Sequence, residues 1–279
     1  MQPVLCLRYE REQCMKNKKA VFFDIDGTLF EQGNPVPESA VKAIHKLREK
    51  GHLAFVCSGR SKIMVPKEPI LSIGFDGVIA ACGMYGSYDG EVLFDEEMTA
   101  EQLADIIPVL KATDTMYILE GTEYIYYDER TIHYAIDDWY VRSIQEMVPQ
   151  RFKVVPEELK EIHANKISIQ VPMHRKEEVF EQAKKYFQIL LHEENIAEIV
   201  PHGFTKACGI QRMCGLLGIE RENVYAVGDS INDIDMLRYA AVGIVMGNGT
   251  QVAKENADYI TTGIYDDGIW NALSYYGLL

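Results

Sequence analysis

The chain of 279 residues is 47% hydrophobic and 25% charged, which is the composition of an average soluble globular protein. Its 28 lysines and arginines stand against 42 acidic residues, so the formal net charge is −14. This balance excludes disorder and collagen-like structure, and so acidic a surface makes nucleic acid and membrane surfaces unfavourable partners. If the substrate is itself an anion, a bound divalent cation is the obvious means of overcoming that field.

Residues 1–18 are polar and without periodicity, and we predict an N-terminal extension that has no function. Met15 is a second possible translation start. The sequence has no apolar run near the ~20 residues that a transmembrane helix needs, and its start lacks the apolar stretch of a signal peptide. The six cysteines include no CxxC pair, which indicates reduced thiols. We therefore predict a cytoplasmic protein.

A strand–helix alternation follows the extension. The run 20–23 is apolar throughout, as is typical of a strand buried on both faces of a parallel sheet. A helix is predicted between Pro37 and Gly51, and further strands at 52–57 and 77–81. This order predicts a parallel sheet with right-handed crossovers.

The pattern changes near residue 83, where short strands pair through tight turns and are backed by helices. A hairpin is predicted over 87–94 with its turn at Asp89-Gly90. The other elements predicted for this stretch are helices near 99–111, 130–147 and 175–187 and strands at 116–120, 124–127, 166–171, 189–192 and 197–200. The alternation then resumes, with helices near 206–217 and 233–239 and strands at 223–227, 242–245 and 258–261.

These elements predict an α/β fold in which a Rossmann-like parallel-sheet core carries an inserted α+β cap domain. We assign residues 19–82 and 201–279 to the core and residues 83–200 to the cap.

The motif Asp24-Ile-Asp26-Gly27-Thr28 directly follows the first apolar strand. Ligands of open α/β sheets bind outside the carboxyl ends of the strands, so both carboxylates stand where chemistry is expected. They share a side if the strand stays extended, and Gly27 permits a sharp turn. Beside Mg²⁺, one carboxylate can attack phosphorus, while the other exchanges a proton with the leaving group. A turn without function is the alternative, and the further motifs favour catalysis.

Two weaker signals lie at the ends of other predicted elements. Ser58-Gly59 closes the second strand, where a hydroxyl and a backbone N–H can contact phosphate. Arg60 fits a solvated loop as well as a ligand contact. Lys206 opens a helix, and an amine beside a helix N-terminus forms a cationic corner for phosphate.

The stretch 227–236 places Asp229, Asn232 and Asp233 between a strand and a helix. Asp229 ends a strand predicted beside the first one, so it can converge with Asp24 on a hard cation such as Mg²⁺, which prefers oxygen ligands. Asn232 and Asp233 lie one turn further on and can reach the substrate and the surroundings of the metal. Helix capping by Asp229 or Ser230 is the alternative. Because acids packed at one strand end repel one another, the metal interpretation is preferred.

Two other patterns are rejected as functional signals. Gly247-Asn-Gly249-Thr-Gln-Val252 is like a dinucleotide fingerprint, but Val252 stands where Gly or Ala is required. The aromatic residues of 124–140 are interleaved with acids rather than bases, which favours cap core over a base-stacking surface.

The four motifs, in this order, resemble those of the haloacid dehalogenase-like hydrolase superfamily, and the insertion is similar to the type IIB cap of the Cof-type sugar-phosphate phosphatases. The resemblance implies that Asp24 is the nucleophile and Asp26 the general acid/base. It implies Mg²⁺ ligands at Asp24, the Asp26 carbonyl and Asp229, with Asp233 near the metal. The residues predicted to bind phosphate or substrate are Thr28, Ser58, Gly59, Lys206 and Asn232.

Two positions depart from the family pattern. Cys82-Gly83 stands where the family usually has Asn-Gly at the entry to the cap, and Lys206-Ala207 stands where it usually has Lys-Gly. The catalytic set is intact.

The prediction is a Mg²⁺-dependent phosphatase that hydrolyses a small phosphorylated metabolite, such as a sugar phosphate, through an aspartyl-phosphate. The cap is expected to close over the site and to select the leaving group. Two alternatives stay open. One is a phosphomutase or phosphotransferase that passes the phosphoryl group to a sugar hydroxyl, and the other is a non-catalytic metabolite-binding regulator.

Overall fold

The computed structural model describes residues 18–31, 33–132, 146, 148–191 and 194–279. All but Lys18 of the predicted N-terminal extension, and most of the helix predicted over 130–147, lie outside the described residues. Those residues form two compact units. The first takes the described part of Met1–Gly59 with Val65–Phe94 and Thr205–Leu279, and the second takes Arg60–Met64 and Asp95–Phe204. Among the helices described, none has the length and apolar character needed to cross a membrane.

The strands and helices of both units are labelled in chain order. The strands are β1 (Ala20–Phe23), β2 (Leu53–Cys57), β3 (Gly77–Ala80), β4 (Tyr85–Tyr88), β5 (Glu91–Asp95), β6 (Met116–Glu120), β7 (Ile125–Tyr127), β8 (Phe152–Val154), β9 (Lys166–Gln170), β10 (Phe187–Leu191), β11 (Ile196–Pro201), β12 (Val224–Gly228), β13 (Val242–Val245) and β14 (Tyr259–Ile260). The α-helices are α1 (Glu38–Glu49), α2 (Ala100–Ala112), α3 (Lys176–Ala183), α4 (Lys206–Leu217), α5 (Ile234–Tyr239), α6 (Gln251–Lys254) and α7 (Gly268–Tyr275).

The first unit is built on one sheet of order β14-β13-β12-β1-β2-β3-β4-β5. From β14 to β3 every neighbouring pair is parallel. Strand β1 lies in the middle, with Phe23 opposite Val227 of β12 on one side and Val56 of β2 on the other. The carboxyl ends of these three strands therefore meet at one edge of the sheet, where ligands of open α/β sheets bind.

Helices cover both faces of this sheet, so its central strands are apolar at every position. In β1, Val21 and Phe23 pack into a cluster with α1 and α7, whereas Ala20 and Phe22 pack into a second cluster with α4, α5 and α6. Side chains alternate across a strand, and β1 needs apolar residues at all four positions to serve both clusters. The predicted α/β class with a parallel-sheet core is confirmed.

The predicted hairpin is present as β4 and β5, joined by Asp89 and Gly90, whose φ angles are +51° and +80°. Both central residues of a type I′ turn need positive φ, which Asp and Gly tolerate. The hairpin pairs antiparallel with β3 and extends the sheet of the first unit, where Phe94 is buried. The structure thus places it with the core elements, whereas the sequence assignment began the cap at residue 83. The assigned domain limits stay a prediction.

The second unit has a mixed sheet of order β10-β11-β9-β6-β7-β8. Helices α2 and α3 lie against one face, where Tyr117, Leu119, Ile167 and Ile169 are buried with them. The α2 helix begins with a capping box, in which the Thr99 hydroxyl accepts from the backbone N–H of Gln102 and the Gln102 side chain accepts from the N–H of Thr99.

The opposite face of this sheet carries a buried ionic cluster, which we define as Glu120, Lys166 and Glu198. The Lys166 ammonium lies 2.6 Å from Glu198 Oε1 and 3.6 Å from Glu120 Oε1, and its side chain is 1% exposed. Ser61 and Ser168 donate hydroxyl hydrogen bonds to the Glu120 carboxylate at 2.8 and 2.5 Å. Removal of one charged member from such a buried cluster is destabilising.

Replacement of Lys166 by methionine is expected to destabilise the protein by about 3 kcal/mol, because the buried cluster then loses the ammonium that contacts both acids. Thermal unfolding followed by circular dichroism should show a Tm about 6–12 °C lower at neutral pH. Lys42→Met is the matched control, since Lys42 pairs with Glu38 on an exposed helix face. An equal Tm for the two variants contradicts a stabilising role for Lys166.

Candidate functional site

The candidate site lies at the carboxyl ends of β1 and β12. Asp24 directly follows β1, and its backbone N–H donates to the carbonyl of Val227 at 2.9 Å, so the parallel ladder fixes its position. The side chain is almost fully buried, with 4% exposed. A carboxylate in such a place needs a charged or hydrogen-bonding partner.

Lys206 is that partner. Its Nζ donates to Asp24 Oδ1 at 2.7 Å and to Asp233 Oδ1 at 2.6 Å, and only 2% of the residue is exposed. It opens α4, whose first turn is capped by the Thr205 hydroxyl, which accepts from the N–H of Cys208. Asn232 Oδ1 lies 3.5 Å from the same ammonium. The predicted cationic corner therefore lies against the predicted nucleophile.

The buried side chain of Asp233 holds the loop after β12 through hydrogen bonds to its backbone. Its Oδ2 accepts the backbone N–H groups of Asp229 and Ser230, each at 3.0 Å, while Oδ1 faces Lys206. Thr28 Oγ1 donates to Asp229 Oδ1 at 3.0 Å. A side-chain hydrogen bond thus joins the first sequence motif, through Thr28, to the fourth, through Asp229.

Gly27 permits this approach of the two motifs. Its φ is +81°, a conformation that L residues with side chains rarely adopt. A Cβ at this position would lie 2.3 Å from Asp229 Oδ2, so even alanine would force the Asp229 carboxylate to shift. Glycine is therefore favoured at this position for two reasons, the positive φ angle and the closeness of the Asp229 carboxylate.

Burial and like charge raise the carboxylate pKa values in this cluster. Burial raises the pKa of Asp24 well above its ordinary value, and Lys206 opposes the shift, whereas Asp233 adds to it. Burial, followed by the charge of Asp233, raises the pKa of Asp229 to about 7. The pKa of Lys206 is raised by its two acidic neighbours, which outweigh its burial. One ammonium stands among the charges of Asp24, Asp229 and Asp233, so the pKa values of Asp24 and Asp229 stay above their ordinary range.

The same three carboxylates can hold a metal ion. One oxygen each from Asp24, Asp229 and Asp233 lies within 4.8 Å of the others. Hard carboxylate oxygens are the donors that Mg²⁺ takes in proteins, and a divalent cation supplies the positive charge that the cluster lacks. The residues present therefore fit a divalent metal of this type.

The remaining predicted site residues differ in how deeply they are buried. Ser58 is buried after β2 and Gly59 is half-buried, while the side chains of Asp26 and Asn232 are exposed. Asp24 and Asp26 were predicted to share a side only if the strand stays extended. Instead β1 ends at Phe23 and the chain turns, because Leu29 donates its N–H to the carbonyl of Ile25. Arg60 donates to the carbonyl of Met64, within the second unit.

One positioning contact was missed by the sequence analysis. Asp235 Oδ2 accepts the N–H of Ala207 at 3.1 Å and so holds the first turn of α4 beside α5. The acid was visible within the fourth motif, two positions after Asp233, but only the packing of α4 on α5 shows which backbone group it meets.

The raised pKa of Asp229 predicts how the metal-free protein responds to pH. Between its ordinary value of 3.8 and about 7, the folded chain holds a proton that the unfolded chain has released, so stability falls as pH rises. In chelator, Tm should fall from pH 5 to pH 8, and Asp229→Asn should reduce that slope. Asp114→Asn, at an exposed turn, is the control. Parallel curves for wild type and Asp229→Asn contradict the shift.

The chain is similar to known proteins over nearly its whole length. A family model described as haloacid dehalogenase-like hydrolase matches residues 21–273. The Bacillus subtilis (strain 168) protein named "Putative phosphatase YkrA" is 29% identical over 281 residues, which is 94% of this chain and 99% of the relative. From the same organism, 5-amino-6-(5-phospho-D-ribitylamino)uracil phosphatase YitU is 25% identical over 276 residues, with 92% of this chain and 96% of the relative covered.

Two solved structures are similar over nearly the whole chain. The HAD subclass IIB sugar phosphatase BT4131 has a TM-score of 0.77 and 26% identity, with 94% of this chain and 100% of that chain covered. A hypothetical protein from Geobacillus kaustophilus HTA426 has a TM-score of 0.80 and 25% identity, with the same coverage.

Proposed function

Because the chain belongs to the haloacid dehalogenase-like hydrolase family, we propose that it hydrolyses the phosphate monoester of a small metabolite through an aspartyl-phosphate on Asp24. The family and the phosphatase class predicted from the four motifs are confirmed, and so is the likeness to a subclass IIB enzyme. The covalent intermediate, the residue roles, the metal and a cytoplasmic location are our proposal.

The observation that carries the proposal is the contact of Asp24 with Lys206. A buried carboxylate is a poor anion unless a cation lies beside it, and the ammonium at 2.7 Å stabilises the ionised form that can attack phosphorus. The same ammonium can accompany the phosphoryl group, whose charge is spread over its outer oxygens during transfer.

Each step follows from the chain's own groups. An Asp24 oxygen forms a bond to phosphorus while the bond from phosphorus to the ester oxygen breaks. Asp26 donates a proton to that leaving oxygen, and its exposed carboxyl stands two residues from the nucleophile, outside the buried cluster. Water then attacks phosphorus while the bond from phosphorus to the Asp24 oxygen breaks, and Asp26 takes a proton from the water. Phosphate is released and Asp24 is restored.

We propose Mg²⁺ as the cation, held by the carboxylates of Asp24 and Asp229 and the carbonyl of Asp26, with Asp233 close by. When bound, the ion supplies positive charge that favours ionised carboxylates and stabilises the transferring phosphoryl group. Thr28, Ser58, Gly59 and Asn232 are proposed to contact phosphate or substrate. Among these, Thr28 is tied to Asp229, so the phosphate contacts and the acidic cluster share one scaffold.

The names of the relatives guide the substrate panel. YitU is named for a phosphorylated ribitylamino-uracil and BT4131 for sugar phosphates. We therefore propose a phosphorylated sugar or sugar-like polyol as the substrate class. Phosphate release should be measured across sugar phosphates, the ribitylamino-uracil phosphate and nucleotides, with Mg²⁺, with Ca²⁺ and with a chelator.

Turnover is expected with Mg²⁺ and little with Ca²⁺, because Ca²⁺ accepts more oxygens in looser geometry. Labelled substrate supplied with unlabelled acceptor sugars distinguishes hydrolysis from phosphoryl transfer. Label recovered in a sugar instead of in free phosphate replaces hydrolysis with transfer. Full activity in chelator contradicts the metal, and no turnover of any ester contradicts the catalytic proposal.

A further inference from the structure

A turn between β13 and α6 contacts the backbone of the candidate site at Gly27 and Asp229. We define this 247–250 turn as Gly247, Asn248, Gly249 and Thr250. The sequence analysis rejected this stretch as a dinucleotide motif. In the structure, its backbone ends meet two other loops, since Gly247 donates its N–H to the carbonyl of Thr262 and Thr250 donates to the carbonyl of Asp229 at 2.8 Å. The 247–250 turn therefore fixes the backbone of one member of the acidic cluster.

The side chain of Asn248 makes a second link. Its Nδ2 donates to the carbonyl of Gly27 at 2.8 Å, and its Oδ1 accepts the N–H of Ile264 at 3.1 Å. Both ends of the amide are thus committed to backbone groups of opposite polarity. An aspartate has the acceptor but lacks the donor, and alanine lacks both.

The peptide that receives this bond lies next to the proposed general acid. Gly27 directly follows Asp26, and its N–H donates to the carbonyl of Phe30 to close the turn. The Asp26 side chain is exposed, and the backbone of this turn contributes to its direction because Asp26 directly precedes Gly27. The bond from Asn248 is one of those that hold this glycine at its φ of +81°, a conformation that few other residues adopt.

We infer that Asn248 is a positioning residue that aims the carboxyl of Asp26 at the leaving oxygen by holding the Gly27 carbonyl. The inference rests on the proposed function. Both amide bonds of Asn248 described above go to backbone groups, so it acts through the turn. The same 247–250 turn holds Asp229 through Thr250, which keeps the general acid and the acidic cluster in one frame.

A misaimed general acid has a specific signature. Protonation of the leaving group matters for an alkoxide and hardly matters for a stabilised phenolate. Loss of Asn248 should therefore slow an alkyl ester far more than an activated aryl ester. A general loss of structure would slow both alike.

The test compares benzyl phosphate with p-nitrophenyl phosphate, which are similar in size and differ in leaving group. For Asn248→Ala, kcat for benzyl phosphate should fall about tenfold or more, with kcat for p-nitrophenyl phosphate within about threefold of wild type. Asn248→Asp should behave like the alanine variant, since the missing donor is what they share. The Asp26→Asn variant lacks the proposed general acid, so the ratio of its two kcat losses gives the largest difference between the esters that a misplaced acid can produce.

Asn256→Ala is the matched control. Asn256 also bonds at both ends, to the carbonyl of Val252 and to the side chain of Arg238, but it contacts neither Gly27 nor Asp229 in these bonds. It should keep both rates. Circular dichroism and Tm establish that each variant is folded.

The outcomes separate the inference from the proposed function. If wild type hydrolyses both esters and Asn248→Ala loses both by one factor, or if Asn248→Asp keeps wild-type rates, the inference is overturned and the phosphatase stands. If folded wild type hydrolyses neither benzyl phosphate, p-nitrophenyl phosphate nor any metabolite ester of the panel, the proposed function falls and the inference falls with it.

Discussion

Replacement of Asp24 by asparagine is expected to lower kcat by at least about a thousandfold while the fold stays intact. The amide has nearly the same shape, and its oxygen can still accept the hydrogen bond that Lys206 makes at 2.7 Å. It cannot form a stable bond to phosphorus, so the proposed intermediate is lost. Steady-state phosphate release, with Tm measured alongside, checks the expectation.

The control for this variant is Asp89→Asn in the turn between β4 and β5. Asp89 is exposed and has a φ of +51°, a conformation that asparagine tolerates as well as aspartate does. It should retain full activity. If Asp24→Asn keeps even a tenth of the wild-type kcat, Asp24 is not the nucleophile. A radiolabelled phosphoryl group trapped on wild type and absent from Asp24→Asn gives direct support.

Replacement of Lys206 by methionine is expected to abolish measurable turnover and to destabilise the protein by about 3 kcal/mol. The ammonium is buried between Asp24 and Asp233, so its loss removes the cation that lies at hydrogen-bond distance from both acids. Because the pKa of Lys206 is raised above its ordinary value, its contribution to stability is fully present at neutral pH and is lost only at strongly alkaline pH.

The pH dependence distinguishes lost charge from lost packing. Without Lys206, Asp24 holds its proton to still higher pH in the folded chain than in the unfolded chain, so the destabilisation should be larger at pH 8 than at pH 5. Thermal unfolding at both values measures it. Lys184→Met, in an exposed pair with Glu181, is the control. The same Tm loss at both pH values contradicts the electrostatic account.

Local sequence determined most of the architecture. Runs that are apolar at every position, such as Ala20–Phe23, predicted buried parallel strands, and β13 has the bounds that the pattern indicated. Motif spacing predicted that acids follow strand ends, and parallel strands bring those ends to one edge whatever the loops between them do. The family therefore followed from the order of four short motifs.

Short elements were harder to predict. Strand β8 has three residues and is largely exposed, and helix α6 has four, so neither has enough repeats for a period to be recognised. Helix α7 was also missed, since Gly268 opens it and it ends in two tyrosines, Tyr275 and Tyr276, at its last turn and C-cap. The hairpin was found, but its attachment to β3 depends on which strand has a free edge.

What only the tertiary structure decided is which polar groups meet. Lys206 and Asp24 are 182 positions apart, and Asn248 and Gly27 are 221 apart, so no local pattern relates them. From the sequence alone, a lysine at a helix start is most simply interpreted as a surface charge, and only the packing of α4 shows that Lys206 is buried. Likewise Asn248 is an ordinary loop residue in the sequence, and only the structure shows that its amide donates to the Gly27 carbonyl. Periodicity in the sequence indicates which apolar side chains are buried. A hydrogen bond instead requires a donor–acceptor distance that is correct to within a few tenths of an ångström, and only the folded chain sets that distance.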